Sequence, residues 1–262
     1  MTSFKRTCIG IVGSLLFGVA AAQADVSETI LKITAISSDG HSGSWSVGLP
    51  SATFNIESST YNWAYAAGEG NVGIEILARD QHGNPVMDGD GRPIVLGELR
   101  SAEIELVEDP QVNLGFTLVA GNAATTTFLV QSALLSFPTL TNPMAETSGT
   151  LTVTDSFGFN GATMGRLLAN AGQYRSEYNG FVPTGTTFAD LIDSFSAGAG
   201  GSVSSTDSYT NMIAGTVSDM SAQVEFTLTR RDTASGTTDY RIVPEPASLL
   251  LLGLAALAVR RR

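Results

Sequence analysis

Two glutamates stand two positions apart in a segment of alternating polarity. Glu103 and Glu105 lie on the same face of a strand predicted over 101–108, which puts their α-carbons about 7 Å apart. A pair of carboxylates at such a separation can serve as the acid and base of glycoside hydrolysis. The same alternation with apolar residues is typical of the solvent face of an ordinary sheet. We therefore expect no enzyme activity and keep a secreted glycoside hydrolase as an alternative.

A polar loop over 80–91 carries the oxygen donors that Ca²⁺ prefers. Asp80, Asp88 and Asp90 stand among glycines there, and carboxylates on a flexible loop are typical calcium ligands. Asp88 and Asp90 are spaced like the start of an EF-hand loop, but Leu99 stands where the closing glutamate is required. The Asn-Pro and Asp-Gly pairs in this loop equally predict hairpin turns. We therefore expect a long polar hairpin and no cofactor, with a calcium site as the alternative.

Four aromatic residues, Trp45, Tyr61, Trp63 and Tyr65, are concentrated near the start of the chain. The last three lie on one face of a predicted strand, where they could stack on sugar rings or fill the core of a sandwich. The alternate positions of that strand are Asn and Ala, and one sheet face must be buried. The preferred interpretation is therefore a core face, with sugar binding as the alternative.

The sequence lacks the residues that several other kinds of site require. The two histidines, His41 and His82, stand in glycine-rich turns, and the one cysteine, Cys8, lies in a segment that we expect to be removed. A zinc site, a thiol nucleophile and a disulfide are therefore not expected. The formal net charge of −11 argues against nucleic acid as a partner.

Alternation at a period of two dominates the body of the chain and predicts an all-β protein. About twelve short antiparallel strands favour a β-sandwich, of jelly-roll type. The predicted strands are 29–36, 44–49, 52–57, 61–66, 72–79, 101–108, 112–119, 125–135, 149–155, 174–178, 221–229 and 237–242.

One stretch departs from this alternation. Residues 187–195 place apolar side chains at helical spacing from Phe188 to Phe195, which predicts one short helix at an end of the sandwich. A boundary near Asn142-Pro143 would divide the body into two similar halves. A single continuous domain over 25–241 is the preferred interpretation.

Residues 1–24 have the features of a secretory signal peptide. A basic start is followed by an apolar run, and Ala22 and Ala24 supply the small residues of the cleavage site. We expect a signal-peptide helix that the secretory translocon receives and that signal peptidase removes after Ala24.

The tail over 242–262 has three parts: a Pro-Glu-Pro tripeptide, an apolar run over 247–259 and three arginines. As a helix, the apolar run spans about 20 Å, less than the roughly 30 Å of a bilayer core. The arginines are expected on the cytoplasmic side. The tail is thus predicted to form a short transmembrane helix that contacts the membrane transiently.

This tail resembles the PEP-CTERM sorting signal of Gram-negative bacteria. The residues that carry the resemblance are Val243, Pro244, Glu245, Pro246, the apolar run and Arg260, Arg261 and Arg262. The resemblance implies processing by exosortase, a membrane-embedded cysteine protease, in hosts that often make exopolysaccharide. It implies a non-catalytic protein of the cell surface or extracellular matrix, anchored by the C-terminal helix before processing. A carbohydrate-binding module for exopolysaccharide is the alternative.

Overall fold

In the computed structural model, strands with alternating apolar and polar residues form two stacked antiparallel sheets. The structure describes residues 25–243 except 69, 123, 159, 168–170 and 182–183. The predicted signal-peptide helix and the predicted C-terminal helix lie outside the described residues. Within the described part, no helix is long and apolar enough to cross a membrane.

Eighteen strands and one 3₁₀ turn (Leu49–Ser51) make up the described part of the chain. The strands are β1 (Asp25–Val26), β2 (Thr29–Ser37), β3 (Ser42–Gly48), β4 (Thr53–Asn55), β5 (Thr60–Ala66), β6 (Ile74–Leu77), β7 (Val95–Val107), β8 (Gln111–Ala120), β9 (Thr126–Ser132), β10 (Leu135–Thr141), β11 (Met144–Thr154), β12 (Ala162–Gly165), β13 (Tyr174–Tyr178), β14 (Thr186–Leu191), β15 (Phe195–Ala197), β16 (Ser202–Met212), β17 (Thr216–Leu228) and β18 (Thr233–Val243).

Each of the two sheets joins strands that lie far apart in the sequence. The first sheet runs β1-β10-β17-β9-β2-β3, with β12–β15 and β13–β14 also attached through β17. The second sheet runs β16-β11-β18-β8-β7-β5-β4, with β6 paired to β7. Each sheet contains strands from both sides of Asn142-Pro143. The predicted all-β antiparallel, sandwich-like fold is therefore confirmed.

The inward faces of both sheets form one hydrophobic core. Phe226 of β17 contacts Phe116 across the sandwich, with ring centroids 5.8 Å apart, and Phe128 within its own sheet, at 5.6 Å. Gly236 on β18 leaves room for this packing, because a Cβ there would lie 2.5 Å from Leu151 Cδ2 and 2.8 Å from the Phe116 ring. The interior is thus packed closely enough to require a glycine at the centre of the second sheet.

The helix predicted over 187–195 is wrong. This segment contains β14, which pairs with β13, and the start of β15. Ile192 between them has a left-handed backbone with φ of 67°, which a helix cannot continue through. Pairing with β13 therefore overrides the helical spacing of the apolar residues.

Other differences concern strand ends and edges. The strand predicted over 125–135 is divided between β9 and β10, and the one predicted from 101 begins at Val95. No strand is predicted over 202–212, where β16 lies and pairs with β11 through all eleven of its residues. Such a polar edge strand lacks the apolar alternation that makes a strand visible in sequence.

Replacing Gly236 with alanine is expected to destabilise the fold. The added methyl group would overlap Leu151 and Phe116, and overpacking of this kind costs about 1–3 kcal/mol of unfolding free energy. Urea unfolding followed by tryptophan fluorescence measures the loss. Gly89→Ala is the control, since a Cβ there meets nothing within 4 Å; equal midpoints for the two variants would contradict the packing.

Candidate functional site

The aromatic residues weighed as a sugar platform pack against the core. Tyr61, Trp63 and Tyr65 lie on one face of β5, half-buried. The Trp63 ring lies 5.6 Å from the ring of Trp45, which belongs to β3 of the first sheet. The contact between Trp45 and Trp63 therefore bridges the two sheets, and Tyr61 and Tyr65 pack partly buried against the same core.

The acidic loop forms two successive hairpin turns of similar sequence. Asp80 Oδ1 accepts hydrogen bonds from the backbone N–H groups of His82 and Asn84, at 2.8 and 2.9 Å. Asp88 Oδ1 accepts from those of Asp90 and Arg92, both at 2.9 Å. The bond from Asn84 does most to lower the pKa of Asp80, and that from Arg92 does most to lower the pKa of Asp88.

These bonds assign the carboxylates a role in turn formation. Among the residues that the structure describes, no group of three His, Cys, Asp or Glu side chains is placed to hold a metal ion. Asp80, Asp88 and Asp90 thus provide no geometric support for the calcium hypothesis.

The outer face of the second sheet forms a groove of about 670 Å³. Its lining comes from seven strands, β4, β5, β7, β8, β18, β11 and β16. A flat sheet of seven strands would measure about 29 Å across, so one cavity that touches all seven requires a curled sheet. A second cavity of about 480 Å³ continues along the strands and shares Ala64, Glu103, Thr150 and Thr237 with the first.

Cross-strand pairing arranges the groove residues in rows of small or polar side chains. The central row is Ala64, Glu103, Gly115, Thr237, Thr150 and Thr206. The row on one side is Asn62, Glu105, Asn113, Asp239, Ser148 and Ser208. The row on the other side is Ala66, Ser101, Thr117, Ser235, Thr152 and Ser204.

A chain of amides holds two groove carboxylates in place. Gln111 Nε2 donates to Asp239 Oδ2 at 2.6 Å and to Asn113 Oδ1 at 3.1 Å. Asn113 Nδ2 in turn donates to Glu105 Oε2 at 2.8 Å. The carboxylates of Glu105 on β7 and Asp239 on β18 are thereby oriented by the strand that lies between them.

The groove carries net negative charge. Arg241, at one end of the groove, pairs with Glu146 at 2.8 Å. Within the described part of the chain, Glu103, Glu105 and Asp239 belong to none of the four ion pairs. The three carboxylates are therefore open to positively charged groups of a ligand.

The sequence indicated only part of this site. Glu103 and Glu105 do share the solvent side of β7, as expected. Asn113 and Asp239 were missed, although they occupy alternate polar positions of two predicted strands. Asn113 faces Glu105 across the neighbouring strands β7 and β8, but no local signal brings Asp239 to them, because β8 and β18 meet only in the folded sheet.

A second acidic feature lies buried beside the connection from β17 to β18. Asp155 and Asp232 are 7% and 1% exposed. Asp155 Oδ2 accepts the N–H groups of Gly200 and Gly161 at 2.8 and 3.0 Å, which lowers the pKa of Asp155. Burial raises the pKa of Asp232, and the neighbouring Asp155 raises it further. Asp232 therefore holds the proton of this pair more tightly.

Asp232→Asn is expected to flatten one part of the dependence of stability on pH. Because the folded pKa is raised, the folded state binds the extra proton, and stability is lost as pH rises from about 4 through the folded pKa. An amide at this position cannot ionise, so the variant should lose this part of the decline, while Glu177 and Glu225, whose pKa values burial also raises, keep theirs. Urea unfolding at a series of pH values tests this, with Asp90→Asn as control. If stability falls equally steeply with rising pH in wild type and in Asp232→Asn, the raised pKa of Asp232 is contradicted.

The last strand leads directly into the tail. Val243 ends β18 and pairs with Met144 of β11. Pro244 follows it in the chain and has no backbone N–H with which to extend the ladder. The remaining predicted sorting residues, Pro244 to Pro246 and Arg260 to Arg262, lie outside the described residues, as do Ala22 and Ala24.

Comparison with solved structures finds only weak similarity. The enzymatically active domain of tailspike protein 4 of bacteriophage CBA120 aligns at 9% identity and a TM-score of 0.23, over 72% of this chain and 20% of the tailspike chain. Infectious bursal disease virus strains Gx and Gt align at 9% and 12% identity, each with a TM-score of 0.20. Those alignments cover 87% and 86% of this chain and 68% and 60% of the viral chains. Such low TM-scores carry no argument about function.

Sequence comparison gives a specific result at the tail alone. A search of curated protein sequences finds no match to this chain. The family model of the PEP-CTERM protein-sorting motif matches residues 243–262, beginning at the last residue of β18. This motif marks an exported protein that is anchored in the membrane and then processed by exosortase. On this evidence, the chain carries a PEP-CTERM protein-sorting motif over residues 243–262.

Proposed function

We propose that this chain is a non-catalytic protein of the cell surface or extracellular matrix. The secretory translocon exports it, signal peptidase removes residues 1–24, and exosortase processes the tail. The C-terminal helix holds the chain at the membrane before that step. The match to the sorting motif at residues 243–262 carries the proposal.

The position of the motif supports display of the folded sandwich. β18 pairs through eleven residues with β11 and through nine with β8, so its end is fixed in the second sheet. The motif begins at Val243, within that strand. Because no linker separates strand and motif, the folded domain lies beside the site of processing.

The groove favours binding over catalysis. Glu103 is exposed and Glu105 is half-buried, and the lining around them is rich in hydroxyl and amide groups. A glycosidase acid needs apolar surroundings that keep it protonated, which this groove does not offer. Glycoside hydrolysis is therefore the weaker alternative.

Carbohydrate binding is the second candidate function, and the groove is the observation that favours it. The candidate no longer depends on Trp45, Tyr61, Trp63 and Tyr65, which pack between the sheets. A hydroxyl-lined concave sheet face instead supplies donors and acceptors that a sugar polymer can match.

Changing the tripeptide should retain the protein in the membrane. In a host that carries exosortase, we expect wild-type chain in the surface and medium fractions and Pro244→Ala/Pro246→Ala in the membrane fraction. Immunoblots of fractionated cells measure this distribution. Pro85→Ala in the exposed hairpin is the control, and it should be distributed like wild type.

The wild-type chain in a host without exosortase should resemble the tripeptide variant. If the tripeptide variant leaves the membrane as efficiently as wild type while exosortase is present, the sorting role of the tail is refuted.

A further inference from the structure

We propose that the groove on the second sheet binds a polysaccharide whose sugars carry protonated amino groups. The binding surface consists of the three rows defined above, with Glu103, Glu105 and Asp239 as its charged residues. The inference deepens the carbohydrate-binding candidate and is independent of how the tail is processed.

The shape of the groove suits an extended chain. Its two cavities are contiguous, and the rows of Asn62 and Ala66 lie four residues apart, about 13 Å along the strands. The floor is low at Ala64 and Gly115. A Cβ at Gly115 would lie 2.7 Å from Glu103 Cγ and Oε1, so the Glu103 side chain extends across β8 over the floor. A ligand in the groove would meet this carboxylate directly.

The lining matches hydroxyl groups. Thr150 and Thr206 share a hydrogen bond at 2.9 Å between their hydroxyls, and Thr152 and Ser204 share one at 2.7 Å. A hydroxyl both donates and accepts, so each pair keeps capacity for the hydroxyls of a sugar. The sheet surface thus offers a regular array of partners along the groove.

The charge of the groove selects among sugar polymers. Carboxylates only accept hydrogen bonds, and the nearby arginines Arg241 and Arg100 are paired with Glu146 and Glu98. An acidic polymer would be repelled by Glu103, Glu105 and Asp239, whereas ammonium groups would form charge-assisted hydrogen bonds with them. The ligand that complements both the hydroxyls and the carboxylates is therefore an amino-sugar polymer.

A basic peptide fits this surface less well. Peptides commonly bind by adding a strand to a sheet edge or by placing side chains in apolar pockets. Here β7, β8, β18 and β11 are paired on both sides, so the groove floor has no free backbone edge. The outward side chains of the floor are small or carry hydroxyl groups, and the large apolar residues beside them, such as Ile104 and Leu114, are buried in the core.

Titration calorimetry on the full chain in mild detergent tests the proposal. The probes are chitosan oligomers and fully N-acetylated oligomers of the same length, at about pH 6, where carboxylates are ionised. We expect the chitosan oligomer to bind at least about tenfold more tightly, and to bind more weakly as salt is raised, because the contacts are ionic.

Variants locate the binding in the groove. Glu103→Gln/Asp239→Asn should weaken chitosan binding by at least about tenfold, with an unchanged circular dichroism spectrum because both side chains lie on the outer face. Glu28→Gln removes one charge from an exposed turn beside the first sheet and should leave the affinity within about twofold.

Three results would overturn the proposal. They are equal affinity for the two oligomers, an equal loss of affinity in the groove and control variants, and binding of oligolysine through Glu103 and Asp239 without binding of chitosan. Each can be observed whether or not exosortase processes the tail, so failure here leaves the sorting role untouched.

Discussion

The structure depends on the pairing of β18 along both of its edges. Eleven residue pairs join β18 to β11 and nine join it to β8. This register directs Tyr240 and Ile242 into the core and Thr237 and Asp239 into the groove. A slip of one residue would exchange the two sets, placing a carboxylate in the interior and a tyrosine in the groove. The strand also ends at Val243, where the sorting motif begins.

The turn from β17 to β18, one of the places where the chain crosses between the two sheets, is fixed by polar contacts. Asp232, in the turn between β17 and β18, accepts a hydrogen bond from the Thr229 hydroxyl and one from the Ser156 N–H, the latter at 3.3 Å. Arg231 Nε donates to Asn122 Oδ1 at 2.7 Å. These bonds join the turn to the loops that follow β8 and β11. This crossing is thus anchored at the end of β18 opposite Val243.

The sequence allowed prediction of features that depend on neighbouring residues. Alternation of apolar and polar residues identified most strands. It placed Glu103 and Glu105 on the same face of one strand, and Tyr61, Trp63 and Tyr65 on the same face of another. The tail motif is contiguous, and it was recognised from its own residues. The helix over 187–195 failed because β14 and the left-handed turn at Ile192 imitate helical spacing.

The groove could not be predicted because its rows join distant positions. Gln111 and Asp239, which share a hydrogen bond, lie 128 residues apart, and Thr150 and Thr206 lie 56 apart. Each of these residues is an ordinary outward polar residue of its own strand. Only the order of strands in the second sheet, with β18 between β11 and β8, brings them together.

An intact mass shows most directly whether the folded sandwich is exported and released from its tail. The measurement is made on the surface-exposed product of a host that carries exosortase. We expect a product that begins at Asp25 and lacks the residues after Pro-Glu-Pro. A product that retains Leu249 to Arg262 would show that the tail is a permanent anchor and would refute its processing.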